Sequence, residues 1–360
     1  MIKNDEITIL GEWGWFIGRT DGILYKLNMD RFEIDPIWNL SDDSKETYRL
    51  YQKCIVFDEY VVCLPDNASS IGIYNINQDS KRKVNLGLDG KRICMVNGWA
   101  HNGILWGVSY VENSILIMNL KTFQVRWVSI PNSKIGYKCA FDENETIYLP
   151  CQNETKIILF NIKNETFKEI EIGINDKGFN TVTIIDRERI LLTGYNKQLY
   201  FIENFQYEII DIDHNYFEII QDVEEQKYPL FFNCKLFNGT IYIFAWNAGN
   251  EKCHDVLCFD INSKKIDGLF LKMSGCLLQE SWFIFGGAGN DSIFFLEDSE
   301  DTAKEIDISY YEYNTKLKEL QKKDITFNSL SDNGDLLFRP GKITTEKEGQ
   351  LDFFIKSICK

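Results

Sequence analysis

Histidine is scarce in this sequence, with only His101, His214 and His254 among 360 residues. The three fall at unrelated places in the repeats described below, so no histidine cluster is expected to hold a metal or act as a base. Long apolar runs are missing too. The longest, such as Ile241–Trp246 and Trp282–Gly287, are strand-sized, far short of the roughly 18 residues of a membrane-spanning helix. Extended basic clusters are absent. Lys81-Arg82-Lys83 and Lys91-Arg92 are short runs among acidic residues, and the formal net charge is −15. A surface that neutralises phosphates needs clustered Lys and Arg, so neither a nucleic acid nor an anionic membrane is expected as a partner. The opening residues, MIKNDEITIL, contain no apolar core of a secretory leader, so a cytoplasmic protein is expected.

Motifs of catalysis are also missing. There is no His-Glu-x-x-His, no Gly-x-Ser-x-Gly, no phosphate-binding Gly-x-x-x-x-Gly-Lys and no Cys-x-x-Cys. Gly286-Gly287-Ala288-Gly289 is followed by strand-like sequence and lacks the helix N-terminus that would meet a phosphate. Asp211, Asp213 and Asn215 resemble the start of a calcium loop. However, Tyr216 stands where the sharp turn wants glycine, and an acidic connection is the better reading. No cofactor and no metal site is expected. The ten cysteines are placed mostly in apolar strands and read as free thiols.

What the chain does have is a repeat. Ile73-Tyr74-Asn75-Ile76, Ile117-Met118-Asn119-Leu120, Leu159-Phe160-Asn161-Ile162 and Cys258-Phe259-Asp260-Ile261 share one pattern, in which an apolar strand ends in an Asx residue and another apolar one. The spacing averages near 45 residues, the length of a four-stranded propeller blade. Each repeat reads as an inner strand, a turn, a very apolar strand, a loop, a second apolar strand, a turn and a polar outer strand. Eight repeats cover approximately 6–40, 49–88, 91–130, 136–172, 180–212, 228–271, 274–308 and 324–358. The expected fold is all-β, a single β-propeller domain of about eight, or seven, four-stranded blades. One short helix is expected at Asn314–Lys323, between the last two repeats. Cys54, Cys94, Cys139, Thr183, Cys234, Cys276 and Ser329 recur at steps of 40 to 53 residues, which suggests a ring of small side chains in the inner strands. Asn-Glu-Thr occurs three times, at Asn144, Asn153 and Asn164. These triplets read as punctuation of one blade, where Asn tolerates left-handed backbone.

In the sixth and seventh repeats the pattern resembles the Kelch repeat. Ile241–Trp246 and Asp255–Asp260 are similar to that motif's second and third strands, and "WFIFGGAG" at Trp282–Gly289 has its double glycine. Most other repeats lack the two glycines, and Trp38 and Trp127 are the nearest equivalents of the motif's outer-strand tryptophan. The resemblance implies a propeller and transfers no active site.

Loops that follow second strands should share one face with the links between blades. Arg19, Tyr110, Tyr195, Trp246, Asn247 and Arg339 end second strands there, and aromatics and Arg are the usual anchors of binding patches. Trp13, Trp99 and His101 should lie on the opposite face. A monomeric module binding a protein, peptide or glycan partner is the expected function. The alternative is a small-molecule enzyme, a hydrolase, lyase or sugar epimerase, with its site at the channel mouth.

Overall fold

The computed structural model describes residues 4–307, apart from 11–12, 19–21, 29–32, 42–49, 89–91, 132, 143–144, 197, 205, 213–230, 238, 246–255, 270–275, 280–281, 287–291 and 298–302. The eighth repeat, the helix expected at 314–323 and the aspartates beyond Asp211 in the calcium-like stretch lie outside the described residues.

Among the described residues seven four-stranded antiparallel sheets follow one another, each in up-and-down order. Blade 1 comprises β1–β4 (Asn4–Leu10, Trp13–Gly18, Ile23–Asn28, Glu33–Asn39), and blade 2 β5–β8 (Tyr51–Phe57, Tyr60–Pro65, Ser70–Asn75, Ser80–Asn85). Blade 3 comprises β9–β12 (Met95–His101, Ile104–Ser109, Ser114–Asn119, Val125–Ser129), and blade 4 β13–β16 (Ala140–Phe141, Thr146–Pro150, Lys156–Asn161, Thr166–Glu171). Blade 5 comprises β17–β20 (Phe179–Ile184, Arg189–Gly194, Gln198–Glu203, Gln206–Asp211), and blade 6 β21–β24 (Phe231–Phe237, Thr240–Ala245, Val256–Asp260, Lys265–Leu269). Blade 7 comprises β25–β28 (Cys276–Gln279, Trp282–Gly286, Ser292–Glu297, Ala303–Asp307). The chain divides into two compact lobes, Met1–Cys94 with Gly275–Lys360, and Met95–Ser274. Within the first lobe β1 packs beside β5 and also beside β25 and β26.

In blades 2 to 5 the middle strands are largely buried on both faces and the fourth strands are not. In blade 2 every residue of β7 is buried, whereas β8 has no buried residue. This explains why the middle strands read as nearly continuous apolar runs. Neighbouring blades share cores. In the first lobe Trp15, Leu24, Tyr51, Cys54, Val61 and Tyr74 join blades 1 and 2. In the second, Ile157, Phe179, Leu192, Tyr200 and Ile202 join blades 4 and 5. Leu199, Phe201, Phe231, Ile241, Leu257 and Phe259 join blades 5 and 6. Each fully buried aliphatic or aromatic side chain in such a core contributes about 1.5–3 kcal/mol.

The repeated Asx has a local cause. Asn75, Asn119, Asn161 and Asp260 close third strands, and each Oδ1 accepts a backbone N–H two or three residues on: Gln78 at 2.8 Å, Thr122 at 2.9 Å, Asn164 at 3.1 Å and Ser263 at 2.6 Å. Four residues after each Asx stands a left-handed residue, Asp79, Phe123, Glu165 or Lys264. The apolar residue just after the Asx donates its N–H back to the turn before the second strand, as in Ile76 to Glu59, Leu120 to Gly103, Ile162 to Glu145 and Ile261 to Gly239. The side chain and the turn chemistry therefore specify the outer hairpin locally.

Two expectations change in detail. Asn153 falls in the loop between β14 and β15, and Asn164 in the turn before β16. However, the left-handed residues there are Glu145 and Glu165, the middle residues of their triplets. Asn164 instead bonds Thr166, accepting from its N–H and its hydroxyl. Asn144 lies outside the described residues. The ring of small side chains also holds only in part. Cys54 and Cys234 share one register position in β5 and β21, pairing with Cys63 and Ile243. Cys94 and Cys139 stand just before β9 and β13, and Thr183 lies one position beyond the shared register. Cys276, opposite Phe285, keeps the shared position, whereas Gly98 and Val182 occupy it in β9 and β17; the β-bulge recurs at an equivalent place in β5, β9, β17 and β21, at residues 52, 96, 180 and 232.

Candidate functional site

The residue that immediately follows the second strand is Arg19, Asp66, Tyr110, Cys151, Tyr195 and Trp246 in blades 1 to 6. Four of the six candidate residues therefore follow a second strand directly in the sequence. Arg19, Trp246, Asn247 and Arg339 lie outside the described residues. Tyr110 and Tyr195 are described, and the second lobe brings them together.

The Tyr110 hydroxyl donates to Gln152 Oε1 at 2.9 Å. Its ring meets the Tyr137 ring edge-on, with centroids 6.2 Å apart, and Lys134 Nζ lies 5.2 Å from its centroid. Gln152 is buried in turn, with its Nε2 3.5 Å from Asn180 Oδ1. Asn180 is fully buried and occupies the bulge of β17. It ties three blades together. Its Nδ2 donates to the Phe231 carbonyl at 2.6 Å, and its Oδ1 accepts the Tyr137 N–H at 3.1 Å.

Tyr195 is buried, and its phenol is pushed up to about 12, first by burial and then by Tyr110 and the Asp176 carboxylate. Asp176 is held by its own partners: Tyr200 donates its hydroxyl to Oδ2 at 2.6 Å, and the backbone N–H of Lys177 donates to Oδ1. Gly194 makes this arrangement possible, because a Cβ there would lie 2.3 Å from Asp176 Oδ2 and 2.8 Å from the Gly178 carbonyl oxygen. Val111, next to Tyr110, is 46% exposed. The result is a patch of phenols, carboxamides, one ammonium and an exposed aliphatic group. Its phenols serve as hydrogen-bonding groups, as the Tyr110–Gln152 bond shows.

The opposite end of blade 3 carries Trp99 and His101, as expected, because His101 pairs with Ile104 at the start of β10 while Tyr110 follows its end. Their rings stack with centroids 5.2 Å apart. Trp99 also meets Trp106 and Phe141, so its faces are engaged within the fold.

Two other residues that follow second strands escaped the sequence reading. In the first lobe the Asp66 side chain is fully buried and receives Arg92 through two bonds, Nε to Oδ1 at 2.7 Å and Nη2 to Oδ2 at 3.1 Å. Its carbonyl accepts the N–H groups of Ile93 and Cys94. Cys151 is buried, and its thiol is pushed up to about 12, mainly by burial. Aligning strand ends, instead of scanning for aromatics and Arg, would have found both. Gln152 and Asn180 left no such signal, because their partners come from other blades, and Asp176 left none because it lies in the link before β17.

No protein-family model matches the sequence, and no curated protein matches it. Solved structures do resemble it. A virginiamycin B lyase from Staphylococcus aureus superposes with a TM-score of 0.62 at 11% identity, over 80% of this chain and 92% of that one. PorZ, a surface component of the type-IX secretion system of Porphyromonas gingivalis, gives 0.60 at 10% identity, over 86% and 39%. A chain of the mitotic checkpoint complex gives 0.58 at 9% identity, over 79% and 84%. The fold is a β-propeller. At these identities the likeness extends to the fold and to nothing chemical.

Proposed function

We propose that the chain is a binding module that recognises a protein, peptide or glycan partner through the loops following its second strands. The observation that supports this most is the joining of Tyr110 and Tyr195 with Tyr137, Lys134 and Gln152. Rigid phenols and carboxamides offer large contact area and hydrogen bonds at low entropic cost. The carboxylate that acts on Tyr195, Asp176, is bound to Tyr200 and to backbone N–H groups, which orients the site more than it equips it for proton transfer. A rigid scaffold with variable loops suits recognition.

The test is to probe arrayed glycans and arrayed peptides with the labelled chain and with its Tyr110→Ala variant. One ligand class should bind the wild type, and its signal should fall at least tenfold in the variant at unchanged melting temperature. Turnover of a sugar, sugar phosphate or organic acid that is lost in Tyr110→Ala would replace this proposal with the enzyme.

A further inference from the structure

A second surface, away from the strand-end loops, lies between blades 4 and 5 of the second lobe. Here the shared core is left unfilled toward the turns at 186–189 and 204. A groove of about 210 Å³ opens there, walled by Tyr148, Ile157, Leu159, Ile190, Ile202 and Tyr207. Its mouth carries Lys168, Glu171, Arg187 and Glu188, and none of these four makes an ion pair among the described residues. Tyr207 belongs to β20, the terminal strand of its sheet, so one edge of β20 has no partner strand in that sheet.

β20 is unusual among the fourth strands. Natural edge strands are guarded by lysine, proline or bulges. β8 follows that rule with Lys81, Arg82 and Lys83, and β16 has Lys168. β20, QYEIID, has neither lysine, arginine nor proline. It instead exposes Tyr207 at 46% and Ile209 at 44%, two of the four large exposed apolar side chains among the described residues. Tyr207 pairs with Ile202 and Ile209 with Tyr200, and both partners belong to the core shared with blade 4. Residues two apart on a strand share a face, so Tyr207 and Ile209 continue the wall of the groove outward.

We propose that this groove and the free edge of β20 form a docking site for an extended, basic peptide segment of a partner protein. The segment would add as a fifth strand to blade 5 and place one bulky apolar side chain in the groove. Strand addition combines main-chain hydrogen bonds for affinity with a pocket for alternate side chains that sets specificity. The charge of the partner follows from complementarity. On the face of blade 5 that carries Tyr207 and Ile209, Glu171, Glu188 and Asp211 outnumber Lys168 and Arg187, while Glu208 lies on the other face of β20 and is already paired with Lys264. The whole chain has a net charge of −15, which disfavours a second copy as the occupant.

The test selects peptides from a random displayed dodecamer library on the full chain and measures the synthetic winners by fluorescence anisotropy. Winners should have a bulky apolar residue flanked by Lys or Arg at alternating positions. Their affinity should fall at least tenfold in the Tyr207→Lys/Ile209→Lys double variant and stay unchanged in Tyr110→Ala. Both replaced side chains are exposed, so the melting temperature should hold. Bound peptide should also slow amide hydrogen exchange across residues 206–211. Failure to enrich any peptide, enrichment of acidic ones, or winners indifferent to the double variant would overturn the proposal. So would a dimer in light scattering that the double variant dissociates, since the occupant would then be a second copy.

Discussion

Replacing Asn180 by alanine is the sharpest test of how the second lobe holds its site. The side chain is fully buried and makes three contacts, with Phe231 O, Tyr137 N and Gln152 Nε2. Asn180→Ala removes all three partners at once. The Phe231 carbonyl, at the buried end of its bond, loses the Asn180 donor, and the partly buried Tyr137 N–H loses the Asn180 acceptor. Removing one partner of a buried hydrogen bond costs about 1–3 kcal/mol, and the half-buried bond costs less because water reaches it. Adding a small cavity, the expected loss is about 3 kcal/mol. Asn180→Asp keeps the acceptors but puts a carboxylate oxygen 2.6 Å from the Phe231 carbonyl oxygen in place of a donor. At neutral pH it should destabilise at least as much as alanine does. The assay is urea unfolding followed by tryptophan fluorescence, with wild-type and variant slopes compared so that a midpoint shift converts to stability. A loss below about 1 kcal/mol in Asn180→Ala would refute the reasoning, because a buried three-blade tie cannot be removed so cheaply. So would an aspartate variant as stable as the wild type.

Other outcomes follow from the same geometry. Arg92→Ala strips the buried Asp66 carboxylate of its bidentate partner; since Arg92 is itself half exposed, the expected loss is about 1–3 kcal/mol by urea unfolding, less than for a fully buried pair. Gly194→Ala forces a Cβ onto Asp176 and the Gly178 carbonyl, and should destabilise by about 1–3 kcal/mol in the same assay while weakening ligand binding at Tyr195. The phenols of Tyr74, Tyr148 and Tyr195 are pushed up to about 12, chiefly by burial, and that of Tyr200 is raised as well. Folded pKa values above the ordinary value of about 10 mean that their stabilising contribution is complete below pH 10 and is lost as pH rises toward 12. Absorbance at 295 nm should therefore show these four of the 17 tyrosines ionising late, together with loss of structure.

The fold was legible because its signals are local. An Asx that bonds the next turn, followed by a left-handed residue four positions on, must appear in each repeat that uses that turn, so Asn75, Asn119, Asn161 and Asp260 stand out in the bare sequence. The site was only partly legible. Tyr110 and Tyr195 were visible because they follow very apolar strands. Gln152 and Asn180 were not, because the atoms they bond belong to blades 3, 4, 5 and 6, and a polar residue in a loop gives no sign of a distant partner. The small inner side chains were misjudged for a related reason: Gly98 and Val182, not Cys94 and Thr183, stand opposite the strand position that Cys54 and Cys234 occupy, and a count of sequence spacings does not show which residue of an inner strand pairs with which.

The position after each second strand has a consequence of its own. It holds arginine, aspartate, tyrosine, cysteine, tyrosine and tryptophan in successive blades, while the strands before it stay uniformly apolar. Among the described residues that position is buried at Asp66, Cys151 and Tyr195 and half-buried at Tyr110. One place in the repeat therefore serves the core in three blades and the surface in blade 3, and its varied chemistry records which neighbour each blade has to satisfy.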